Sequence, residues 1–215
     1  LREIAARRRP VILSTGMSSL GEVQKAFNTL LENGTKEIML LHCTSEYPAP
    51  AADCNLKCIP LLSQTFSVPV GFSDHTAGNE AAVAAIALGA EIIEKHLTLD
   101  RNMSGPDHAA SLDPQQFAGM VAAVRKTAIM LGNGYKAAAI GEQANLSLVR
   151  RSLVAAADVK AGEILSPEKI AIKRPAGGIA PELLCQAVNR RVCQDLFADE
   201  PITWQHLGEV VQVEP

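Results

Sequence analysis

No excess of positive charge runs through this sequence. Its 20 Lys and Arg stand against 23 Asp and Glu, a net charge of −3 with a pI near 6.0. That balance gives no long-range pull toward nucleic acid or an anionic membrane, so neither is expected as a partner. The one basic cluster, Arg7-Arg8-Arg9, reads as a solvated helix end. No apolar run reaches the ~18–20 residues that a membrane span needs. The charged start also lacks the apolar stretch of a signal peptide. A disulfide framework is missing too, because the five cysteines, Cys43, Cys54, Cys58, Cys185 and Cys193, are odd in number and scattered. Free thiols in a reducing cytoplasm are the expectation. Cys54-x-x-x-Cys58 has no second Cys or His pair at finger spacing, which argues against zinc. Finally, there is no initiating Met, and LREIAARRRP reads as a helix tail feeding a strand. The expectation is that the N-terminal part of a larger protein precedes Leu1.

What is there is a repeated theme. With 47% apolar residues, 215 positions suffice for one substantial core and a smaller domain. Strands are expected at about Val11–Leu13, from Glu37 to about His42, in VPVGFSDHT and in AEIIEKHLTL. Between them lie helix signals. Ser19 and Glu22 form a capping box for GEVQKAFNTLLENG, which Gly34 closes. Pro60 to Gln64 supplies a short helix, and NEAAVAAIALGA is a small-residue helix stopped by Gly89. Asp113-Pro114 with Gln116 starts a helix running to about Leu131. Continuous apolar strands alternating with helices indicate parallel βα units buried on both faces. Four such strands are too few for a closed barrel, which needs eight strands and typically ~250 residues, and a doubly wound sheet stays open on the pattern alone. From Arg150 the chain turns to short β-like runs broken by Gly and Pro, a small separate module after a boundary near 132–149.

The polar clusters fall where strands end, the edge that carries chemistry in parallel α/β folds. GFSDHT and EIIEKHLTLD each deliver a histidine, His75 and His96, at the ends of the third and fourth strands. Neighbouring strands lie about 4.8 Å apart, so two imidazoles at matched ends can share one divalent metal. Without Cys, the pair suits Mn, Fe, Co or Zn; hydrogen bonding at strand ends is the blander account. Asp74 can orient an imidazole or cap the following helix. Ser14-Thr15-Gly16, Thr44-Ser45 and Ser73 together make an anion cradle, although each alone is ordinary turn chemistry. His42 and Cys43 point to opposite faces of their strand, so they do not pair as base and nucleophile. Asp107 follows the fourth strand where a substrate hydroxyl can be held, and Lys173-Arg174 reads as a surface pair.

Taken in order, STGM, LLHCTSEYPAP, GFSDHT, EIIEKHLTLD, SGPDHAASLDP, RRSLVAAADVKAGEIL and IKRPAGGI resemble the sialic acid synthase family. This family comprises N-acetylneuraminate, legionaminate and pseudaminate synthases and spore-coat polysaccharide enzymes. The resemblance implies an α/β TIM-barrel fold followed by a small β-rich SAF (antifreeze-like) domain. Residues 1–135 would hold barrel strands five to eight with their helices, 136–149 a linker and 150–215 the SAF domain. The implied activity condenses phosphoenolpyruvate with N-acetylmannosamine or a related acetamido-hexose and water, giving a nine-carbon 2-keto sugar acid and phosphate. The resemblance assigns His75 and His96 to a divalent metal, Mn with Mg or Co as substitutes. It assigns Ser14, Ser45 and Ser73 to phosphoenolpyruvate, and Tyr47 and Asp107 to the sugar. Ser45 departs from members that carry Asn there, though both side chains can bond phosphate. Asp74 stands within the catalytic motif. Arg174 matches the SAF arginine that reaches the acyl-amino group from the neighbouring subunit of a homodimer. A cytoplasmic enzyme is implied. The family's acidic residue near the first strand and its early lysines have no counterpart here, so the 215 residues alone are expected to lack synthase activity. Two rivals are a phosphoenolpyruvate–sugar-phosphate synthase of the 3-deoxy-octulosonate type, which the SAF-like module argues against, and a non-catalytic binding fragment.

Overall fold

A computed structural model describes residues 1–211, which divide into two compact units, the first Leu1–Tyr135 and the second beginning at Lys136. The first opens with a short helix, α1 (Arg2–Ala6), and strand β1 (Val11–Ser14). Helix α2 (Leu20–Glu32) follows, and its Ser19–Glu22 capping box forms in full. Val23, Phe27 and Leu30 are buried along one stripe of α2, as a helix laid on a sheet requires. Gly34 closes this helix with φ +104°, a conformation few other residues accept. Then come β2 (Ile38–Cys43), α3 (Cys58–Phe66), β3 (Val70–Asp74), α4 (Glu80–Ala87), β4 (Ile93–Lys95) and α5 (Pro114–Leu131). The second capping box, Asp113 with Gln116, also forms, with Pro114 as the first helical residue.

The four strands pair in parallel in chain order, β1-β2-β3-β4. One face is apolar and helix-covered: Leu40, Val70 and Phe72 pack with Phe27, Leu30, Ile59, Leu62, Phe66 and Ile86. Alternation turns Ile12, Ser14, Cys43, Ser73 and Glu94 to the other face. The fourth strand is shorter than AEIIEKHLTL predicts. Only Ile93–Lys95 is strand, and beyond His96 the chain makes a single parallel bridge between Leu97 and Leu112. The interruption arises because Leu112 N bonds to the His96 carbonyl and Thr98 N to the Leu112 carbonyl, so the chain pairs with its own downstream segment.

Within the second unit, the segment expected as a linker carries two short helices, α6 (Ile140–Gln143) and α7 (Leu146–Val149), and Ala176 N donates to the Ser147 carbonyl. Strands β5 (Ser152–Ala155) and β6 (Ile170–Lys173) pair antiparallel. After helix α8 (Leu184–Ala187), β7 (Arg190–Val192) and β8 (Leu207–Val210) pair likewise. Leu153, Val159, Leu165, Ile179, Val192, Leu196 and Ile202 fill a core of their own. Gly178 sits where a Cβ would lie 2.6 Å from the Ile202 carbonyl oxygen and 2.7 Å from that of Leu153, so only glycine lets these backbones meet. Among the described residues no helix is long and apolar enough to cross a membrane.

Candidate functional site

The site is built at the C-terminal ends of β3 and β4. Ser73 and Glu94 are register partners on neighbouring strands, and the alternation that puts them on one face returns two residues later at His75 and His96. The two imidazoles stand edge to face with centroids 5.4 Å apart. Tyr47, on the loop after β2, lays its ring 4.3 Å from that of His75 and 5.4 Å from that of His96. The peptide between Tyr47 and Pro48 is cis. Two residues on, Ala49 N donates to the His75 carbonyl at 2.9 Å, tying the Tyr47 loop to the end of β3.

The protonation of His75 follows from its partner. Its Nδ1 lies 2.7 Å from the Thr44 carbonyl, which can only accept, so Nδ1 carries the hydrogen. In the neutral ring, Nε2 then holds the lone pair, and it lies 3.3 Å from Ser73 Oγ. The Ser73 hydroxyl donates to Glu94 Oε1 at 2.6 Å. Its hydrogen is therefore committed to the carboxylate rather than to the imidazole. His96 Nδ1 is 3.9 Å from Asp107 Oδ2, an ion-pair distance when the ring is charged and too long for a hydrogen bond.

These contacts permit a fit test for the divalent metal that the resemblance implies. A metal needs unprotonated ring nitrogens, and an imidazole whose other nitrogen donates to a carbonyl is the usual ligand form. His75 meets that condition, with His96 beside it. Among the described residues no group of three or more His, Cys, Asp or Glu side chains is arranged to hold a metal. The pair fits as two ligands, and other positions would fall to water, substrate or groups outside this set.

Asp74 is not part of this arrangement. It is fully buried on the opposite, helix-covered face. Its Oδ1 accepts from Thr76 N at 2.8 Å and from Thr76 Oγ1 at 2.7 Å. Its Oδ2 lies 2.9 Å from Lys95 Nζ, an ion contact whose angle falls short of a hydrogen bond. The expected role of Asp74 as a direct hydrogen-bonding partner of an imidazole is therefore corrected, because strand alternation turns it away from both rings and its contacts go to Thr76 and Lys95. It does not cap α4 either, whose N-cap is Asn79.

The other expected residues divide by place. Ser14 Oγ lies 3.0 Å from Cys43 Sγ, and Cys43 is the register partner of Ser73, so Ser14 stands on the same face farther along the sheet. Ser45 approaches the turn after β1, where a Cβ on Gly16 would come within 2.3 Å of Ser45 Oγ. Arg174 lies in the second unit, just beyond β6. As expected, His42 and Cys43 part company: His42 Nε2 bonds the Cys54 carbonyl at 2.7 Å while Cys43 Sγ meets Ser14. The five cysteines are all free. Burial, and then the carboxylates of Asp74 and Asp53, push the Cys54 thiol above its ordinary value.

Sequence reasoning missed Glu94, Lys95 and the Thr44 carbonyl. Glu94 had a readable signal, since it stands two residues before His96 on the same strand face. The register that places it against Ser73 did not.

The NeuB family model matches residues 1–136 and the SAF domain model residues 150–208. The chain is 47% identical over 207 residues to an uncharacterized protein of Methanocaldococcus jannaschii, covering 96% of this chain and 61% of that protein. It is 50% identical over 182 residues to the N,N'-diacetyllegionaminic acid synthase of Campylobacter jejuni, covering 84% of this chain and 54% of that enzyme. Among solved structures, a putative spore coat polysaccharide biosynthesis protein E from Chromobacterium violaceum superposes with a TM-score of 0.73 at 30% identity, covering 97% of this chain and 64% of that one. The chain thus spans less than two thirds of each of these relatives. With a family match over more than half its length and relatives of this closeness on both sides of residue 136, the chain belongs to the NeuB family, the sialic acid synthases.

Proposed function

We propose that this chain is the carboxyl-terminal part of a nonulosonate synthase that condenses phosphoenolpyruvate with an acetamido-hexose, N-acetylmannosamine or a diacetamido relative. Its four parallel strands are read as the second half of an eight-stranded barrel. The observation that carries the proposal is the pair of imidazoles at matched ends of β3 and β4, 5.4 Å apart and walled by Tyr47, in a chain of this family.

In this reading the terminal methylene carbon of phosphoenolpyruvate bonds to the aldehyde carbon of the open-chain sugar, the aldehyde π electrons pass to its oxygen, and that oxygen takes the proton that the added water releases. Water adds at the carbon bearing the phosphate, and the C–O bond breaks to release phosphate. A divalent metal on His75 and His96, Mn with Mg or Co as substitutes, supplies Lewis-acid polarisation of the aldehyde when bound. The chain's own residues bind and orient. Ser14 and Ser45 offer hydroxyl donors to phosphoenolpyruvate. Ser73 can donate to it only by turning its hydroxyl from Glu94, on which it now rests. Tyr47 packs over both rings, and Asp107, 3.9 Å from His96, would accept from a sugar hydroxyl. By the resemblance, Arg174 reaches the acyl-amino group in the site of a neighbouring copy, so the working enzyme is read as a homodimer, and its biosynthetic role as cytoplasmic.

The test is phosphate release from phosphoenolpyruvate in the presence of Mn, using the polypeptide extended at its N-terminus to the length of its relatives. Release that depends on N-acetylmannosamine or a diacetamido-hexose, and that His75→Ala/His96→Ala abolishes, is expected. A folded, Mn-binding protein that releases phosphate with none of these sugars would sink the proposal.

A further inference from the structure

The pair that holds the site's two strand ends together is not in the site. Asp74 and Lys95 are register partners on β3 and β4, and each immediately precedes one of the two histidines. Their side chains are 0% and 1% exposed, and Asp74 Oδ2 lies 2.9 Å from Lys95 Nζ. Lys95 Nζ also donates to the Thr76 carbonyl. Thr76 in turn donates to Asp74 Oδ1 through both its backbone N–H and its hydroxyl. His75 therefore sits inside a closed loop: Asp74 before it, Thr76 after it, and Lys95 of the next strand in ion contact with Asp74 and hydrogen-bonded to the Thr76 carbonyl.

We propose that Asp74, Lys95 and Thr76 form a clamp that positions the two imidazoles, setting the His75 ring on the Thr44 carbonyl and His96 beside it. The inference rests on the reading of His75 and His96 as metal ligands, and it deepens that reading by naming what sets their spacing. Three features point beyond a merely structural pair. A buried ion pair is weak as a source of stability, since its desolvation offsets its attraction, so its presence in a largely apolar face is better explained by specificity of placement. Its members sit at the last rungs of β3 and β4, where the ladder ends and register is least constrained by neighbouring strand bonds. All of its bonds converge on the one turn that carries His75.

The clamp is tested without relying on activity. In the N-terminally extended polypeptide labelled with 15N-histidine, the His75 Nδ1–H held by Thr44 gives a slowly exchanging ring resonance. The variant Asp74→Asn/Lys95→Met keeps an acceptor for Thr76 and removes both charges, so no lone charge is left buried. In the folded variant the resonance is expected to be lost or to exchange at least ~10-fold faster, with Mn bound about 10-fold more weakly, the range typical for groups behind metal ligands. Ser19→Ala, which weakens α2 without touching the clamp, should change neither reading. A folded Asp74→Asn/Lys95→Met protein with wild-type exchange and wild-type Mn affinity overturns the clamp. If that variant does not fold, Thr76→Val decides: it removes one bond to Asp74 Oδ1, and unchanged ring exchange in it overturns the clamp equally. A wild-type protein that binds no Mn would instead overturn the metal reading, and the ring exchange alone would still decide the clamp.

Discussion

Ser73, Asp74 and His75 are consecutive, yet only two of them share a side of the sheet. Ser73 and His75 face Glu94 and His96, while Asp74 points back under the helices toward Lys95. A strand turns each successive side chain over, so polarity alone does not place a residue in a site. Burial separates the thiols chemically. Cys54 is buried, its thiol is pushed up by that burial and then by Asp74 and Asp53, and its Sγ–H points at the Pro50 carbonyl. Thiolate is the reactive form, so Cys54 should resist alkylation near neutral pH, whereas Cys185 and Cys193 are exposed. Timed iodoacetamide labelling read by peptide mass spectrometry should show Cys185 and Cys193 modified first and Cys54 far behind. Equal rates for Cys54 and Cys185 would contradict this account of its surroundings.

At the scale of the element, α5 carries a local instruction with a distant consequence. Asp113 accepts from Gln116 N at 2.8 Å, Gln116 answers to Asp113 N, and the helix they start buries Met120 against Ala82 and Leu112. Leu112 N in turn holds the His96 carbonyl at 3.0 Å, so the start of α5 is continuous with the end of β4. Asp113→Ala should cost about 1 kcal/mol, the usual worth of an N-cap, while Asp113→Asn should cost much less. Urea unfolding of the two variants measures the difference, and equal losses would mean that the cap is not the cause. Both capping boxes could be read from the sequence because their partners lie three residues apart. His75 and His96 could be read too, from apolar runs ending in histidine. The Ser73–Glu94 bond and the Asp74–Lys95 pair could not, because each depends on the register between β3 and β4, which no local pattern in GFSDHT or EIIEKH encodes. β4 is shorter than the pattern of AEIIEKHLTL for a related reason: LTL has strand composition, but Leu97 makes one bridge to Leu112 and continues no ladder.

At the scale of the molecule, most of the carboxyls held below their ordinary values lie in the second unit. Glu163, Glu168 and Asp195 all lie in the second unit, and the carboxyl of each is held below its ordinary value of 4.5, 4.5 and 3.8 respectively. For Glu163 the first cause is the Lys169 ammonium, for Glu168 the Ser166 hydroxyl and for Asp195 the Ala161 backbone N–H, followed by Lys160. A carboxyl depressed in the folded state binds its proton more readily when unfolded. Its contribution to stability is therefore complete above the ordinary value and is lost as pH falls through the depressed one. Lys160, raised by its bond to Asp195, works in the opposite direction: its contribution is complete below 10.5 and is lost as pH rises through the raised value. The second unit should thus be steady through neutral pH and weaken at both extremes. Trp204, the chain's single tryptophan, lies in this unit beneath the Arg190 guanidinium at 5.6 Å, so its fluorescence reports this core within the whole chain. The Trp204 melting midpoint should hold from pH 7 to about 5 and fall below about 4.5, where these carboxylates begin to take up protons on unfolding. Glu163→Gln should lower the midpoint at pH 7 and flatten the acid fall, since it removes one of the groups that titrate. A midpoint in Glu163→Gln that falls as steeply as in the wild type would show that the acid response of this unit comes from elsewhere.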